Sequence, residues 1–180
     1  MNLSDIKALY THRQSCRAFD GRPVPERLLQ EVCELALLAP SACNAQPWHL
    51  YAVTGEKIRD VAACVQGLGM NKFANDAGAF VVVTEGKSNL TARLGDRLKD
   101  QNFTPGDIGI LTAHLVLAAE TAGLASCILG WRSEKKLRPL LGLPEEVRIP
   151  YVVALGYAKE SDPIRPKKRK PTEETLTFLK

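Results

Sequence analysis

The spacing of apolar residues predicts a long helix early in the 180-residue chain. From Leu28 to Ala39 apolar residues recur every three or four positions, as on the buried face of a helix. Pro25 suits the first helical turn, and Pro40 is expected to end the helix. The same criterion predicts four further helices, at residues 3–10, 56–65, 107–123 and 133–142. The helix at 107–123 is apolar nearly all round, so we expect it to be central.

Short runs of bulky and β-branched residues predict four strands, at residues 48–53, 79–83, 125–131 and 150–157. The run at 79–83 is entirely apolar, which indicates a central strand buried on both faces. The central helix has no phosphate-binding glycine turn before it, so a layered α+β fold is favoured over a doubly wound one. Residues 86–106 are charged and predict the least ordered segment.

Composition indicates a single globular domain spanning residues 1–180, because 45% of the residues are hydrophobic and 24% are charged. The net charge of +4 is uneven. Residues 161–180 hold six Lys or Arg and three Asp or Glu, so this basic C-terminal extension carries most of it. The rest of the chain is nearly neutral, which argues against a nucleic-acid-binding surface on the domain itself.

The five cysteines form no C-x-x-C pair, which predicts free thiols in a reducing compartment. The N-terminal residues do not have the pattern of a signal peptide, and no apolar run is long enough for a membrane helix. We therefore expect a cytoplasmic protein with no membrane partner.

The common catalytic motifs are missing from the sequence. It contains no G-x-x-x-x-G-K-[ST], H-E-x-x-H or G-x-S-x-G. Gly67 and Gly69 are followed by Lys72 where a dinucleotide fingerprint needs a third glycine. The three histidines are far apart, and His114 is predicted to be a core residue. We predict no metal site.

Two basic segments are candidates for binding an anion. Arg13, Ser15 and Arg17 alternate, so in an extended chain their side chains point the same way, and arginine matches phosphate oxygens two at a time. Surface ion pairs are the alternative for these arginines. The second segment, residues 165–170, is either a solvated tail or a nucleic-acid-binding stretch.

A polar loop follows the first long helix. Ser41, Asn44 and Gln46 lie between Pro40 and Pro47, and amide side chains can both donate to and accept from the edge of a flat heterocycle. The alternative is an ordinary Asx-type turn, with the following tryptophan as a core anchor.

Taken together, these segments resemble the FMN-dependent nitroreductase family along almost the entire chain. The resemblance rests on R-x-S-x-R at 13–17, A-P-S-x-x-N-x-Q-P-W at 39–48, AAETAGLASCILGW at 118–131, VVALGY at 152–157 and the terminal K-x-R at 167–169. It implies an α+β fold with a mixed central β-sheet flanked by helices. It also implies a homodimer with FMN at the subunit interface, in which the C-terminal tail wraps the partner subunit.

The resemblance further implies an activity. Two electrons from NADH or NADPH would pass through flavin N5 to a nitroaromatic, quinone or similar small aromatic acceptor, by a ping-pong mechanism. No side chain is assigned as catalytic. Flavin reduction and dehalogenation are sister activities on the same fold. A non-catalytic protein that binds flavin, or nucleic acid through its basic tail, is the alternative of another class.

The resemblance also assigns cofactor-binding residues. The phosphate and ribityl chain would be held near Arg13, Gln14, Ser15, Lys167 and Arg169, with Arg17 near the flavin pyrimidine. The isoalloxazine edge would meet Pro40, Ser41, Asn44 and Gln46 of the other subunit, together with Asn71 and the backbone of Leu129 and Gly130. Gln14 stands where many relatives carry Arg or His, and Ala74 where some carry Lys. Residues 84–107 would form a lid that selects substrates.

Overall fold

The computed structural model describes residues 2–86 and 102–180. The five helices and four strands in these residues follow one another as α1 (Leu3–His12), α2 (Glu26–Ala36), β1 (Trp48–Val53), α3 (Lys57–Val65), β2 (Ala79–Glu85), α4 (Thr104–Thr121), β3 (Ala125–Leu129), α5 (Glu134–Leu140) and β4 (Tyr151–Gly156). Short 3₁₀ turns lie at Ala42–Asn44, Lys72–Asp76 and Thr172–Glu174. The predicted lid, residues 84–107, falls mostly on residues 87–101, outside the described part of the chain.

The four strands form one sheet in the order β1-β2-β4-β3, and each neighbouring pair is antiparallel. The α+β class predicted from the sequence is confirmed. Among the described residues, the parallel component of the expected mixed sheet is an isolated bridge between Ser15 and Ser126. That bridge lies on the outer edge of β3, so the segment after α1 extends the sheet at the side opposite β1.

Helices cover both faces of the sheet. On β2, Val81 and Val83 belong to the core shared with α2 and α4, whereas Phe80 and Val82 belong to the core on the α3 side. Successive residues of a strand point to opposite faces, so a strand buried on both faces must be apolar throughout. The prediction that residues 79–83 form such a strand is confirmed.

The helix ends differ from the predicted ones by a few residues. Helix α2 ends at Ala36, four residues before Pro40. The Leu37 N–H still donates to the carbonyl four residues back, whereas the N–H groups of Leu38 and Ala39 donate to carbonyls three residues back, as in a 3₁₀ turn. A proline disfavours the helical conformation of the residue before it, so the chain leaves the helix ahead of Pro40. Helix α4 begins at Thr104, three residues earlier than predicted.

Helix α1 and the last residues of the C-terminal tail are largely exposed. Asn2 caps α1 by accepting hydrogen bonds from the backbone of Ser4 and Asp5, but no residue of the helix is buried. The side chains of Leu3, Phe178 and Leu179 are 85%, 80% and 94% exposed. Large apolar side chains so fully in contact with water are typical of surfaces that meet another chain.

Candidate functional site

A cavity of about 960 Å³ opens between α1 and α4. Its apolar wall includes Ile6, Tyr10, Val116, Ile128 and Tyr151. Its other lining residues include four cations from two distant parts of the sequence: Lys7 on α1 and Arg13 just after it, and Lys167 and Arg169 of the tail. An apolar cavity with a few convergent polar or charged groups is typical of a site for a small molecule.

The positive charges crowd each other at this site. Nζ of Lys167 donates a hydrogen bond to the Arg13 carbonyl oxygen at 2.7 Å. Desolvation lowers the pKa of Lys167, and the neighbouring charges of Arg13, Arg169 and Arg165 lower it further. Glu120 acts in the opposite direction. Because these cations repel one another, a bound anion such as a phosphate would be favoured here.

Gln14 and Ser15 contact the tail. The Gln14 side-chain oxygen accepts from the Arg165 backbone at 3.0 Å, and its amide nitrogen donates to the Pro163 carbonyl at 3.2 Å. The Arg165 guanidinium donates to the Ser15 carbonyl at 2.8 Å. The R-x-S-x-R segment and the tail, predicted to converge, are thus in direct contact within this chain.

Arg17 follows Ser15 and Cys16 in the segment that runs alongside β3. The Cys16 backbone N–H donates to the Ser126 carbonyl at 2.9 Å, which places the segment alongside this edge strand. Burial raises the pKa of the Cys127 thiol, and the charges of Arg17 and Arg13 oppose that rise. Both arginines therefore lie near the same buried residue of β3.

The polar loop after α2 is folded tightly on itself. The Ser41 hydroxyl accepts from the Gln46 N–H at 2.9 Å, and the Gln46 amide donates to Asn44 Oδ1 at 3.0 Å. Cys43, Asn44 and Gln46 have φ angles of 50°, 49° and 46°, in the left-handed region that is costly for residues other than glycine. Such strain is concentrated at functional sites, where the surrounding structure holds it in place.

This loop does not line the cavity. It lies against the first turns of α4, where buried Asp107 accepts a hydrogen bond from the Ala42 N–H at 3.0 Å. The cations instead line the cavity with the middle of α4, from Gly109 to Leu117. The structure thus brings Arg13, Lys167 and Arg169 together and leaves Pro40, Ser41, Asn44 and Gln46 apart from them.

Asn71 and the end of β3 belong to adjoining loops. Asn71 has a φ angle of 57°, and its amide donates to the Val65 carbonyl at 2.9 Å. The Gly67 backbone in the same loop packs so closely on Trp131 that an added Cβ would lie 2.9 Å from the indole nitrogen. Leu129 is buried as the last residue of β3, and exposed Gly130 follows it.

Sequence reasoning missed the groups that support these loops. Arg132 donates to the Gly130 carbonyl at 2.6 Å and to Glu134 at 2.9 Å, and Glu134 also binds Arg138 at 2.7 Å. Asp107 stands in the first helical turn, where an acid is common, so its sequence position gives no sign that it holds Ala42. The spacing of Glu134 and Arg138 was an available signal, because residues four apart meet on a helix, whereas Arg132 lies before the helix and gives no such signal.

Several other expectations can be compared with the structure. Cys16, Cys33, Cys64 and Cys127 are buried free thiols, and Cys43 is exposed. His114 is half-buried rather than in the core, and its ring bonds the Ile110 carbonyl. Within the described ranges no three His, Cys, Asp or Glu side chains are grouped to hold a metal ion. Each helix found in residues 2–86 and 102–180 is too short or too polar to cross a bilayer.

Comparison with known proteins gives a consistent result. Residues 10–68 and 65–157 match the model of the Nitroreductase family. The chain is 32% identical to an NADH dehydrogenase of Thermus thermophilus, over 97% of this chain and 96% of that protein. It is 25% identical to an oxygen-insensitive NADPH nitroreductase of Helicobacter acinonychis, over 99% of each. A protein of Exiguobacterium sibiricum, solved in complex with FMN, superposes with a TM-score of 0.80 at 16% identity over 99% of each chain.

Proposed function

Because the chain belongs to the nitroreductase family, we propose that it is an FMN-dependent oxidoreductase that passes electrons from NADH or NADPH to a small aromatic acceptor. The observation that carries this proposal is the convergence of Arg13, Lys167 and Arg169 on one apolar cavity. A phosphate group needs cations, and an isoalloxazine ring needs a flat apolar surface. The cavity offers both, so the residues present fit FMN.

The cofactor would be held by the segments that the sequence assigned. Arg13, Lys167 and Arg169 would bind its phosphate, with Ser15 beside them and Arg17 nearer the pyrimidine. Asn71, Leu129 and Gly130 would meet the ring edge from the neighbouring loops. The apolar wall of the cavity would exclude water from the ring, which strengthens the polar contacts at its rim.

We propose that the complete site requires a homodimer. The loop of Pro40, Ser41, Asn44 and Gln46 lies apart from the cations of its own chain, as expected if it contacts the ring bound by the partner subunit. The exposed apolar side chains of α1 and of the tail are a further reason to expect a second copy. The tail would then wrap the partner and bury Phe178 and Leu179.

When bound, the flavin would supply the redox chemistry, by accepting a hydride equivalent from the nicotinamide and returning two electrons to the acceptor. The protein would align each flat substrate in turn on one face of the cavity, which gives a ping-pong order. Nitroaromatics and quinones are the proposed acceptors. We assign no side chain as general acid or base.

The test is an anaerobic experiment on the purified protein loaded with FMN. We expect the flavin absorption to bleach when NADH or NADPH is added, and to return when a quinone or nitroaromatic follows. The Arg13→Ala variant should need more FMN to reach the same signal, whereas Arg59→Ala, at an exposed position on α3, should behave as the wild type. A protein that takes up no FMN would contradict the proposal.

The same preparation separates the alternatives. If free flavin is the best acceptor, the protein is a flavin reductase, and release of halide from a halogenated aromatic would indicate a dehalogenase. A nucleic-acid-binding tail would give an affinity for DNA that falls steeply with salt. A tail that is buried against a partner subunit should bind little DNA at any salt.

A further inference from the structure

We propose that Gln14 is a positioning residue, which fastens the C-terminal tail so that Lys167 and Arg169 are held beside Arg13. It would act on the cofactor through these cations rather than by contact. This inference rests on the proposed binding of FMN. It also changes the role expected for Gln14, which the resemblance had placed among the cofactor ligands.

The first observation is the geometry of the Gln14 amide. Its oxygen accepts from the Arg165 N–H at 3.0 Å, and its nitrogen donates to the Pro163 carbonyl at 3.2 Å. Both partners are backbone groups, and they lie two residues apart. One side chain that binds the backbone at two such points fixes the direction of the tail as well as its position.

The second observation is that the neighbouring bonds join the same two segments. The Arg165 guanidinium donates to the Ser15 carbonyl at 2.8 Å, and Lys167 donates to the Arg13 carbonyl at 2.7 Å. The lysine that would meet the phosphate is thus two residues beyond the point where Gln14 holds the tail. Release of residues 163–165 would free Lys167 to leave Arg13.

The third observation concerns charge. Desolvation lowers the pKa of Lys167 and the charges of Arg13, Arg169 and Arg165 lower it further, so a fastening without positive charge adds no repulsion to the cluster. The nearby carboxylates have other partners: Asp162 pairs through Oδ1 with Arg165, while its Oδ2 accepts no hydrogen bond among the described residues, and Glu120 pairs with His12. A neutral amide at position 14 holds the tail without cancelling the positive charge that a phosphate would use. A carboxylate there would compete with the phosphate.

Gln14→Met tests the proposal, because methionine keeps the length of the side chain and removes both hydrogen bonds. Gln30→Met is the matched control, since Gln30 is an exposed glutamine on α2 that bonds Glu34. The first readout needs no flavin: the rate at which trypsin cleaves the apoprotein after Lys167, Lys168 and Arg169, followed by mass spectrometry. We expect cleavage about tenfold faster in Gln14→Met, as for two lost hydrogen bonds, and unchanged in Gln30→Met.

The second readout is the affinity for FMN compared with that for riboflavin, which lacks the phosphate. We expect Gln14→Met to weaken FMN binding about tenfold and to leave riboflavin binding within about twofold, because only the phosphate contacts depend on the tail. Equal weakening of both flavins would indicate general damage to the site and would overturn the positioning role.

The two readouts separate the possible failures. If trypsin cleaves Gln14→Met at the wild-type rate, Gln14 does not fasten the tail, regardless of the affinities measured for the two flavins. Faster cleavage with an unchanged preference for FMN would overturn the positioning role. If the wild type binds neither flavin, the proposed function fails and the positioning role fails with it, while the cleavage rates still decide whether Gln14 fastens the tail.

Discussion

Replacement of Asp107 by alanine should detach the polar loop from α4. The Asp107 side chain is buried, and its Oδ1 atom accepts from the Ala42 N–H at 3.0 Å across 65 positions of sequence. In Asp107→Ala the Ala42 N–H is left without this partner in a half-buried place. The loop backbone, with three residues at positive φ, then loses a contact that holds it in a strained conformation.

The size of the effect follows from two contributions. Loss of the acceptor of a partly buried N–H costs about 1 to 3 kcal/mol. Loss of an acid from the first turn of α4 costs about 0.3 to 1 kcal/mol. We therefore expect the free energy of unfolding to fall by about 1.3 to 4 kcal/mol, and Tm to fall by about 3 to 16 °C for a chain of this length.

Asp60→Ala provides the matched control, because Asp60 is an exposed acid in the first turn of α3. It should lose only the helix-terminus contribution. Asp107→Asn keeps an acceptor for Ala42 and should recover most of the stability. Urea unfolding gives the free energies, and hydrogen exchange at Ala42 reports the contact itself. If Asp107→Ala costs no more than Asp60→Ala, the reasoning about the loop is refuted.

Three further predictions follow from ionisation and packing. Because its surroundings lower the pKa of Lys167, FMN affinity should begin to fall at a lower pH than an ordinary lysine would allow. Lys167→Arg stays charged and should abolish this fall. If FMN affinity depends on pH in the same way in the variant and the wild type, Lys167 does not bind the phosphate. Burial raises the pKa of Cys33 to about 11, so alkylation followed by mass spectrometry should find Cys33 unmodified until urea unfolds the protein. A Cβ at Gly78 would lie 2.2 Å from a backbone carbonyl oxygen, whereas one at Gly106 meets nothing within 4 Å. Gly78→Ala should therefore destabilise by about 1 to 3 kcal/mol and Gly106→Ala should stabilise by about 0.5 to 1 kcal/mol, and equal urea midpoints would count against this packing.

The fold was predictable where its signals are local. The wholly apolar run at 79–83 could only be a strand buried on both faces, and the repeat from Leu28 to Ala39 fitted only a helix. The end of α2 was missed by a few residues, because Pro40 acts on the residues before it as well as on itself. The arrangement of the tail could not be predicted in this way. The apolar residues of the tail show no periodicity that would indicate what they pack against.

The sequence predicted which residue types form the candidate site, but not which of these residues contact one another. Alternating arginines and a terminal K-x-R indicated an anion site, and the structure joins Arg13 to Lys167 across 154 positions. The contacts of Gln14 with Arg165 and of Asp107 with Ala42 span 151 and 65 positions, and no periodicity indicates them. Long-range contacts between irregular segments depend on the packing of the whole domain, which local patterns do not contain.

We propose above that Arg13, Lys167 and Arg169 form the phosphate site of a flavin cofactor. The most direct test is a titration of the flavin-free protein with FMN and with riboflavin, for the wild type and Arg13→Ala. We expect the wild type to bind FMN at least about tenfold more tightly than riboflavin, as for one charge-assisted phosphate contact, and most of this difference to be lost in Arg13→Ala. Equal affinity of the wild type for the two flavins would contradict it.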